Sequence, residues 1–343
     1  MKNVRERTEE MEYRLLSPYA AKSREASRNL PMTECDFRTK FQRDRDRILH
    51  SKSFRRLKHK TQVYIVAGDH YRTRMTHSLE VAQISRTIAR GLRLNEDLVE
   101  AIALGHDVGH TPFGHAGEFA MDQLLKEMDD GRQGLHFRHN EQSKRIVEYL
   151  EKDGNGLNLT QETMDGILNH SGKDIPRTLE GRIVRIADRI AYLCHDYDDS
   201  LRAGLLKKGE LPQEVRDLFT EDTSHMITGM VSDIILNSTD KDDIIMSEPV
   251  KRTMDSFRQF MFEKIYHSKQ LEHEREQASF VLTQLYRYFM HHIERLPFEF
   301  AKREERWGRI QTVADYVAGL TDSYAVELFN QIFMPPVGKY SKK

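Results

Sequence analysis

The histidines of this sequence are concentrated in one stretch of the chain. Seven of the 16 lie between positions 70 and 139, and three of these fall within GHDVGHTPFGHAGE, residues 105–118. In that segment His106 and Asp107 are adjacent, so on a helix their side chains point about 100° apart. Two such side chains can ligate one ion only in the notch at a helix end. A His-Asp pair alone is more often structural, but the glycines and further histidines beside it favour a metal site.

Proline and glycine indicate where that helix end should lie. Pro112 disfavours helical backbone at Thr111, so we predict that the helix ends there. Gly105 and Gly109 lack side chains, and we predict that they leave room for the ion. The sequence therefore predicts two adjacent metal ligands at a helix terminus.

Further ligands are needed to complete a divalent-metal site, and the sequence offers two candidates. His77 lies at the start of a predicted helix, and Asp188 lies beside apolar residues in IVRIADRIAYLCHD, residues 183–196. A carboxylate beside an apolar stripe is costly to bury unless it is paired or bound to metal. For Asp188, an ion pair with Arg185 or Arg189 is the alternative. Two imidazoles and two carboxylates suit Mn, Fe, Co, Ni or Zn better than Ca, and such a site can activate water for phosphoester or phosphoanhydride hydrolysis.

Two more spacings concern proton transfer and substrate contact. His115 and Glu118 are three residues apart and are neighbours if the segment is helical. The carboxylate can then orient the imidazole as a proton donor, although a capping interaction at the start of that helix is the alternative. Asp188, Tyr192 and Asp196 are spaced by four residues, which places them on one helix face.

Together these residues resemble the signature of a known superfamily. Arg74 to His77, His106-Asp107 and Asp188 are similar to the H…HD…D signature of HD-domain phosphohydrolases. From about residue 35 to about residue 330, a collinear series of segments resembles the deoxyguanosine triphosphate triphosphohydrolase family, which includes the SAM-domain-bearing dNTPases of animals. The segments are SFRRLKHKTQV (53–63), RTRMTHSLEVAQISR (72–86), GHDVGHTPFGHAGE (105–118), FRHNEQS (137–143), ADRIAYLCHD (187–196) and DYVAGLTDSYA (315–325).

The resemblance implies a role for each matching position. The implied metal ligands are His77, His106, Asp107 and Asp188. His115 should face the scissile Pα–O5′ bond, with Glu118 as its partner. His110 and His139 should contact phosphates as further active-site histidines. The implied substrate contacts are Gln62 and Asp196 at the sugar 3′-hydroxyl, Val63 beneath the sugar, Tyr192 near sugar and phosphate, Arg74 and Arg189 at phosphates, and Tyr324 at a wall that excludes a 2′-hydroxyl.

The resemblance also implies a reaction, a cofactor and partners. The reaction is attack of metal-activated water on the α-phosphorus of a dNTP, which releases a nucleoside and inorganic triphosphate. The cofactor is one divalent ion per site, Mn, Mg, Fe, Co, Ni or Zn. The partners are a second dNTP at an allosteric site and further copies of the chain, as a dimer, tetramer or hexamer. We expect no SAM domain, and His110 stands where the founding dGTPases have Asn, which puts strict dGTP specificity in doubt.

Helical periodicity dominates the rest of the sequence. The segments that indicate helices are 79–92, 98–104, 146–150, 180–204, 251–297 and 309–332. Gly91 is the predicted end of the first of these helices, and Asn140 is the predicted N-cap of the helix that contains 146–150. The best strand candidate is Gln62–Val66. We predict an all-α fold, with an HD-domain phosphohydrolase helical core and additional C-terminal helices. The predicted regions are a basic N-terminal helical segment 1–60, a catalytic core 61–205, and a C-terminal helical region 206–343 that completes the site and the oligomer interface. Polar segments interrupt the apolar pattern near 205–245 and predict a soft boundary there.

Composition bears on the partners of the protein and on its location in the cell. The net charge is −1, but residues 1–60 hold 17 Lys and Arg against 9 Asp and Glu, an excess of eight positive charges. Such a segment can meet the phosphates of a nucleotide or nucleic acid, or it can be a solvated helical surface. Cys35 and Cys194 are too few for a disulfide framework or a Cys-rich zinc site. With no apolar leader and no run of ~20 apolar residues, we expect a soluble, cytoplasmic protein without membrane contact.

Two alternatives to dNTP hydrolysis stay open. Another HD-type hydrolase, such as a nucleotidase or a phosphodiesterase, would use the same ligands on a different phosphoester. A regulatory HD protein would instead bind single-stranded nucleic acid through the basic N-terminal segment.

Overall fold

Helices joined by loops make up the fold, which confirms the all-α prediction. The computed structural model of the chain describes residues 2–63, 71–129, 131 and 134–335. Within them, extended backbone pairs only at two isolated bridges. No helix in these residues combines the length and the apolar character needed to cross a lipid bilayer.

The strand predicted over Gln62–Val66 is not formed in its described part. Thr61 makes an isolated bridge with Thr73, while Gln62 and Val63 lie in a bend. The remainder of the predicted strand and His70 lie outside the described residues. Arg74, at the start of the helix that carries His77, donates a hydrogen bond to the carbonyl oxygen of Gln62 at 3.3 Å, so Gln62 lies beside that helix.

The helices follow one another along the chain with short connections. From the N-terminus to residue 202 they are α1 (Val4–Leu15), α2 (Lys40–Leu49), α3 (Lys52–Arg56), α4 (Arg74–Gly91), α5 (Glu96–Gly105), α6 (Gly114–Met128), α7 (His139–Arg145), α8 (Glu151–Gly154), α9 (Gln161–Asn169) and α10 (Leu179–Arg202). The helices that follow are α11 (Gln213–Phe219), α12 (Thr223–Ser238), α13 (Glu248–Met261), α14 (Lys269–His291), α15 (Phe298–Ala301), α16 (Glu304–Ala318) and α17 (Asp322–Phe333). Single π-helical turns extend α7 over Ile146–Leu150 and α13 over Phe262–Tyr266, and 3₁₀ turns occupy Leu57–His59 and Ile293–Arg295.

Local sequence explains where the two longest site-bearing helices begin. Thr73 and Thr76 form a reciprocal capping box at α4, each side chain accepting a hydrogen bond from the other residue's N–H. At α10, the Thr178 hydroxyl accepts a hydrogen bond from the N–H of Gly181 at 3.1 Å. These caps satisfy N–H groups that the first turn of a helix leaves free. The predicted helix end at Gly91 is confirmed.

Apolar side chains pack into two clusters. The larger cluster joins α4, α5 and α10 and includes the buried residues Ile102 and Ile190. The smaller cluster joins α6 to α14 and to the last two helices, and includes Met121 and Leu282. Burial of such side chains supplies the main driving force for folding, about 25 cal/mol per Å² of apolar surface. The helices that bear the histidines are therefore fixed by two cores rather than one.

The N-cap predicted at Asn140 is wrong. Helix α7 begins at His139 with Arg138 in the N-cap position. The Asn140 side chain instead donates a hydrogen bond to the carbonyl oxygen of Leu168 at 2.6 Å. Asn140 thus joins α7 to α9, a long-range contact that the local pattern does not reveal.

The long C-terminal helices are shorter than predicted. The segment 251–297 breaks after Tyr266, where the Ser268 hydroxyl caps α14 by accepting from the N–H of Leu271. The segment 309–332 also breaks, because Thr321 caps a new helix. In both places a hydroxyl residue inside an apolar pattern starts a second helix.

The polar region 205–245, predicted as a soft boundary, contains a helix of the larger cluster. Helix α12 buries Met226, Met230 and Ile234 and packs against α4 and α10. The division into 1–60, 61–205 and 206–343 stays a prediction.

Candidate active site

A cavity of about 510 Å³ opens between the helices of the two apolar clusters. Its walls come from α4 and α10, from the segment between α5 and α6, from the start of α7, and from the region that follows α13. We call it the histidine pocket. The histidines that line it are His77, His110, His115, His139, His170 and His267.

The His-Asp pair lies in a tight turn at the C-terminal end of α5. The helix ends at Gly105, so the predicted end at Thr111 is wrong. The next residues form a turn in which the N–H of His110 donates to the carbonyl oxygen of Asp107 at 3.1 Å. The Ser143 hydroxyl donates to the carbonyl oxygen of His106 at 2.6 Å. Contact with α7 therefore holds the turn in place.

The two glycines beside the pair have a different role from the predicted one. A Cβ atom at Gly105 would lie 2.6 Å from Cδ1 of Ile167, and one at Gly109 would lie 2.2 Å from the backbone nitrogen of Ser143. Both distances are too short for real atoms. The glycines make room for α9 and α7 rather than for an ion.

The four predicted metal ligands converge at the wall of the histidine pocket, which three of them line. Nε2 of His77 lies 2.9 Å from Oδ1 of Asp188 and 3.9 Å from Oδ2 of Asp107. Nε2 of His106 lies 3.4 Å from Oδ1 of Asp107 and 3.7 Å from Oδ1 of Asp188. Residues 111 positions apart in the sequence thus place their ligand atoms together.

The alternative for Asp188, an ion pair with a neighbouring arginine on α10, is not formed. Arg185 instead donates to backbone carbonyls, at 2.9 Å to Asn169 and at 2.6 Å to Gly172. No ion pair joins Arg189 to Asp188 in the described part of the chain. The carboxylate faces the histidines.

The protonation of His106 tests whether this cluster suits a cation. Its Nδ1 lies 2.6 Å from the carbonyl oxygen of Ala103, and because a carbonyl only accepts, Nδ1 carries the proton. Nε2 therefore presents a lone pair, and it is buried without a hydrogen-bond partner among the described residues. An unpartnered buried nitrogen is costly unless something binds it. The cluster of His77, His106 and Asp107 can hold a divalent metal ion.

Asp107 is the electrostatic centre of the site. Its Oδ2 accepts a hydrogen bond from Arg74 at 2.9 Å, and its Oδ1 lies 3.1 Å from Nε2 of His110. Burial opposes ionisation, but the neighbouring His106, His110 and Arg74 hold the pKa of Asp107 well below its usual range. Asp107 is therefore a carboxylate at neutral pH, the form in which it can bind a metal ion.

A second group of histidines surrounds His139. Its ring stacks on that of His110 with centroids 4.0 Å apart, and its Nδ1 lies 2.9 Å from Oε1 of Glu118. Glu118 also accepts a hydrogen bond from the backbone N–H of His139 at 2.8 Å. Burial opposes the charge of Glu118, but His139 keeps the pKa of that carboxyl well below its usual range. Glu118 thus orients His139 through two bonds.

His115 is less tightly held than the resemblance implies. Its Nδ1 lies 3.7 Å from Oε2 of Glu118, and its side chain is 70% exposed at the pocket mouth. It does not cap α6, since the N-cap position is occupied by Phe113. The imidazole is free to approach a group bound in the pocket.

Comparisons with known proteins identify the family of this chain. The HD domain family matches residues 74–193, and the phosphohydrolase-associated domain family matches residues 244–331. A deoxyguanosinetriphosphate triphosphohydrolase-like protein of Caldanaerobacter subterraneus subsp. tengcongensis is 54% identical over 97% of this chain and 96% of its own length. One of Clostridium tetani is 44% identical over 98% of each. The chain belongs to the HD-domain deoxyguanosinetriphosphate triphosphohydrolase-like family.

A solved structure supports the same fold. A phosphohydrolase of Bacteroides thetaiotaomicron VPI-5482 superposes with a TM-score of 0.50 at 18% identity, over 83% of this chain and 68% of that one. The family match and this superposition therefore both support an all-helical HD fold for the chain.

Most predicted substrate contacts of this family member line the histidine pocket. They are Gln62, Arg74, Arg189, Tyr192 and Asp196, together with His110, His115 and His139. Arg74 is already bonded to Asp107, so its phosphate contact stays a prediction. Val63 lines a smaller cavity of about 60 Å³ that adjoins the first through Gln62 and His115.

Tyr324 is the predicted residue that the structure does not bring to the pocket. It lies in the first turn of α17, is 45% exposed and interacts with Tyr316. It lines neither of the two cavities. Its role at the sugar stays a prediction without a contact in the described structure.

His170 lines the histidine pocket but was not predicted from the sequence. This residue ends α9, its Nδ1 lies 2.7 Å from the carbonyl oxygen of Ile167, and its Nε2 lies 3.1 Å from Nε2 of His139. Burial lowers the pKa of His170 to about 3, so its ring is neutral. The one local signal is that His170 follows a helical stripe and precedes Ser-Gly, as His106 follows another helix end.

The other pocket residues that were not predicted lie in α13, in α14 and in the segment between them, and no sequence motif marks them. Arg258, Phe262, Tyr266, His267 and Arg275 line the histidine pocket from the phosphohydrolase-associated region. The Tyr266 hydroxyl donates to Oδ2 of Asp196. Burial raises the pKa of Asp196 to about 6, although this bond opposes the shift. A π-helical turn, a feature common at functional sites, presents Tyr266.

Proposed function

We propose that this chain is a metal-dependent dNTP triphosphohydrolase, which hydrolyses dGTP or other dNTPs to a deoxynucleoside and inorganic triphosphate. The observation that carries the proposal is the convergence of two histidines and two aspartates on one buried point beside a pocket of nucleotide size. The names of the relatives support the substrate class. Those names rest on similarity to dGTPases, so the substrate itself is part of the proposal.

The metal would be held by His77, His106, Asp107 and Asp188. When bound, a divalent ion lowers the pKa of water and neutralises phosphate charge. Arg74 keeps Asp107 ionised and oriented, and Ala103 fixes the tautomer of His106, so the ligand atoms are set before any ion arrives. Support of this kind around ligands typically changes metal affinity by about 10–100-fold.

Proton transfer is assigned to His115. Its exposed imidazole at the pocket mouth can donate a proton to the O5′ atom that leaves the α-phosphorus. His139 and His110 form a stacked pair deeper in the pocket, where His139 faces Glu118. Burial lowers the pKa of His139, but Glu118 outweighs that effect and raises it. His139 is thereby suited to carry a proton, and donation from its Nε2 to a phosphate oxygen would replace the contact of that nitrogen with His170.

Sugar recognition is assigned to Gln62 and Asp196. Oε1 of Gln62 and Oδ1 of Asp196 are both buried acceptors without a hydrogen-bond partner in the described part of the chain. A sugar hydroxyl placed between them would satisfy both atoms, which favours a nucleoside over a bare phosphate ester. Val63, in the adjoining small cavity, offers an apolar contact beneath the sugar.

Three further features belong to the same proposal. We assign the chain to the cytoplasm, because both cysteines are free. We also propose assembly as a homo-oligomer and response to an allosteric dNTP, in line with the resemblance. The metal is one of Mn, Mg, Fe, Co, Ni or Zn.

Product analysis tests the proposal. The protein is incubated with each dNTP and NTP in the presence of Mn²⁺ or Mg²⁺, and the products are separated by chromatography. We expect a deoxynucleoside and tripolyphosphate in equal amounts, with dNTPs preferred over NTPs. Asp188→Asn should abolish turnover, whereas the exposed loop variant His136→Asn should retain it.

Other products would refute the assignment. Orthophosphate or pyrophosphate would indicate a nucleotidase or another HD-type hydrolase. Absence of turnover in the wild type, together with tight binding of single-stranded DNA, would indicate a regulatory nucleic-acid-binding protein instead.

A further inference from the structure

The segment DYVAGLTDSYA, residues 315–325, spans the end of α16 and the start of α17. The resemblance implied a role there only for Tyr324, whose side chain lines neither the histidine pocket nor the small cavity beside it. Two carboxylates of the same segment, Asp315 and Asp322, instead contact the parts of the chain that form the histidine pocket. We call residues 315–322 the α16–α17 corner.

The carboxylate of Asp322 joins two backbone segments that are far apart in the sequence. Its Oδ2 accepts a hydrogen bond from the N–H of Thr61 at 2.9 Å, and its Oδ1 accepts one from the N–H of Phe113 at 3.0 Å. Hydrogen bonds to a carboxylate are stronger than those between neutral groups. Thr61 precedes Gln62, and Phe113 lies two residues before His115. The carboxylate therefore links the segment assigned to the sugar to the segment assigned to proton transfer.

The two linked segments form walls of the small cavity of about 60 Å³. Gln62, Phe113 and His115 all line it. At Gly114 a Cβ atom would lie 3.1 Å from the carbonyl oxygen of Gln62, closer than side chains usually come, so the two backbones are in direct contact. A change in their separation would therefore change the distance from Gln62 to His115.

The backbone at Phe113 needs a restraint of this kind. Phe113 and Gly114 have φ of 63° and 57°, in the left-handed region that residues other than glycine rarely adopt. Such a conformation persists only where the surroundings enforce it. Phe113 occupies the N-cap position of α6 without a side-chain cap, and its N–H is bonded to Asp322. The carboxylate thus helps to hold the turn from which α6 and His115 begin.

The rest of the corner contacts other segments that carry pocket histidines. The Lys60 ammonium donates to the carbonyl oxygen of Ala318, at 2.9 Å, and to that of His110. The Asp315 carboxylate pairs at 2.8 Å with Arg145 of α7, the helix whose first residue is one of the two stacked histidines. The corner is therefore a common support for several walls of the histidine pocket.

We propose that Asp322 is a positioning residue for hydrolysis in the histidine pocket. It holds His115 at the distance from Gln62 that lets the imidazole reach the leaving oxygen of a nucleotide whose sugar contacts Gln62. This inference rests on the proposed function, to which both of those roles belong. Asp322 lines neither cavity and acts through the backbone of Thr61 and Phe113. A displacement of about 1 Å between reacting groups can lower a rate by about 100-fold.

Graded loss of the two hydrogen bonds tests this role. Asp322→Asn keeps the size of the side chain, but its amide nitrogen cannot accept a hydrogen bond, so one of the two bonds is lost. Asp322→Ala loses both. We expect kcat for tripolyphosphate release to fall by about tenfold in Asp322→Asn and by about 100-fold in Asp322→Ala, while KM changes by less than about threefold. Wild-type kcat in Asp322→Asn and Asp322→Ala would overturn the proposal.

Asp222→Ala is the matched control for loss of stability. Asp222 lies at the start of α12, lines neither cavity, and also accepts a hydrogen bond from a backbone N–H, that of His225 at 3.0 Å. The control should therefore have a lower thermal midpoint but the kcat of the wild type. An equal fall in kcat in Asp222→Ala and Asp322→Ala would attribute the effect to general destabilisation and would contradict the positioning role.

A double-mutant cycle distinguishes positioning from a merely structural role. If Asp322 acts through His115, Asp322→Asn should lower kcat by less than about twofold when His115→Ala is already present. Equal factors with and without His115 would mean that the two residues act independently, and the proposal would be wrong. If Asp322→Ala does not fold, Asp322→Asn and its double variant decide the question.

The same assays separate failure of this inference from failure of the proposed function. A wild type that released no tripolyphosphate from any dNTP would refute the proposed function, and this role with it. An active wild type whose kcat is unchanged by Asp322→Asn would refute the positioning role alone. Amide hydrogen exchange provides a readout without turnover: residues 61–63 and 110–118 should exchange faster in Asp322→Asn than in the wild type or in Asp222→Ala. Unchanged exchange there would show that the carboxylate does not hold the two segments.

Discussion

The histidine pocket differs in its arrangement of charge from a cavity of about 300 Å³ beside α2. We call this cavity, which is lined by Arg38, Arg43, Arg47 and Lys152, the basic pocket. In the histidine pocket, the carboxylate of Asp107 faces the guanidinium of Arg74 and the imidazoles of His106 and His110, so its negative charge has a cationic partner. In the basic pocket, Arg43 and Arg47 face only carbonyl oxygens. A balanced set of ligands suits a cation, which can then meet phosphate. A group of cations without carboxylate partners attracts anions such as phosphate directly. This attraction should weaken far more strongly as salt is added.

Removing a ligand from the balanced site should have the largest effect. His106→Ala deletes the buried Nε2 that has no hydrogen-bond partner, so we expect loss of bound metal and a fall in kcat of about 1000-fold or more. Metal content by mass spectrometry and tripolyphosphate release are the measurements. His136→Ala, in an exposed loop, is the control. Wild-type metal content in His106→Ala would show that the ion binds elsewhere.

His115 separates proton transfer from metal binding within the same pocket. Because its side chain is 70% exposed, His115→Ala should leave the thermal midpoint unchanged. Turnover should fall by about 10²–10⁴-fold, the usual contribution of a general acid. Metal content should match the wild type. Turnover within a few-fold of the wild type would remove His115 from the proposed mechanism, while loss of metal would instead give it a ligand role.

The histidine pocket was predictable where its ligands form short motifs. His106, Asp107 and His110 lie in one segment, and Asp188 follows from an acidic residue beside a helical apolar stripe. The glycines of that segment were recognised but misinterpreted, since their neighbours, Ile167 and Ser143, belong to other helices. Local sequence therefore predicts which residues gather but not which contacts constrain them.

Residues that reach the pocket through packing could not be predicted. His170 ends a separate helix, and Tyr266 and Arg275 come from a region with ordinary amphipathic spacing. Tyr324 shows the converse, because a matching sequence segment does not bring its side chain to the pocket. The helical fold followed from periodicity, whereas breaks within long helices depended on single hydroxyl caps such as Ser268.

The basic pocket was visible in the sequence only as an excess of charge. The same segment contains Arg5, which pairs with Glu9 at 2.8 Å, and Arg43, which pairs with no carboxylate in the described part of the chain. Composition does not distinguish the two, because pairing depends on how α1, α2 and the α8 turn come together. Charge counts thus predict an anion-binding tendency but not its place.

Lys60 lies beside the histidine pocket but, like Arg43 and Arg47 of the basic pocket, it donates to backbone carbonyl oxygens. Its ammonium is buried and donates to the carbonyl oxygens of Ala318, at 2.9 Å, and His110. Burial lowers the pKa of Lys60 from 10.5 to about 7. Between these values the unfolded chain binds a proton that the folded chain does not, so the free energy of unfolding should rise with pH. The slope is at most about 1.4 kcal/mol per pH unit.

Urea unfolding across that pH interval measures the Lys60 slope. In Lys60→Met the rise with pH should be smaller than in the wild type, even though the loss of two hydrogen bonds lowers stability throughout. Lys58→Met, at an exposed lysine in the same turn, should keep the wild-type slope. Parallel curves for Lys60→Met and the wild type would mean that Lys60 is not desolvated in the folded protein.

The smallest expected effect concerns repulsion within the basic pocket. Lys152→Gln removes one of three unpaired cations without changing the backbone preference at that position, so it should stabilise the protein by a few tenths of a kcal/mol, about 0.5 at most, in low salt. In about 1 M NaCl the screening length falls to roughly 3 Å, and the difference should vanish. Thermal or urea unfolding at both salt concentrations measures it, with Lys208→Gln as the control. A stabilisation that persisted in high salt would have to arise from local packing, and the contrast between balanced and unbalanced pockets would then rest on geometry alone.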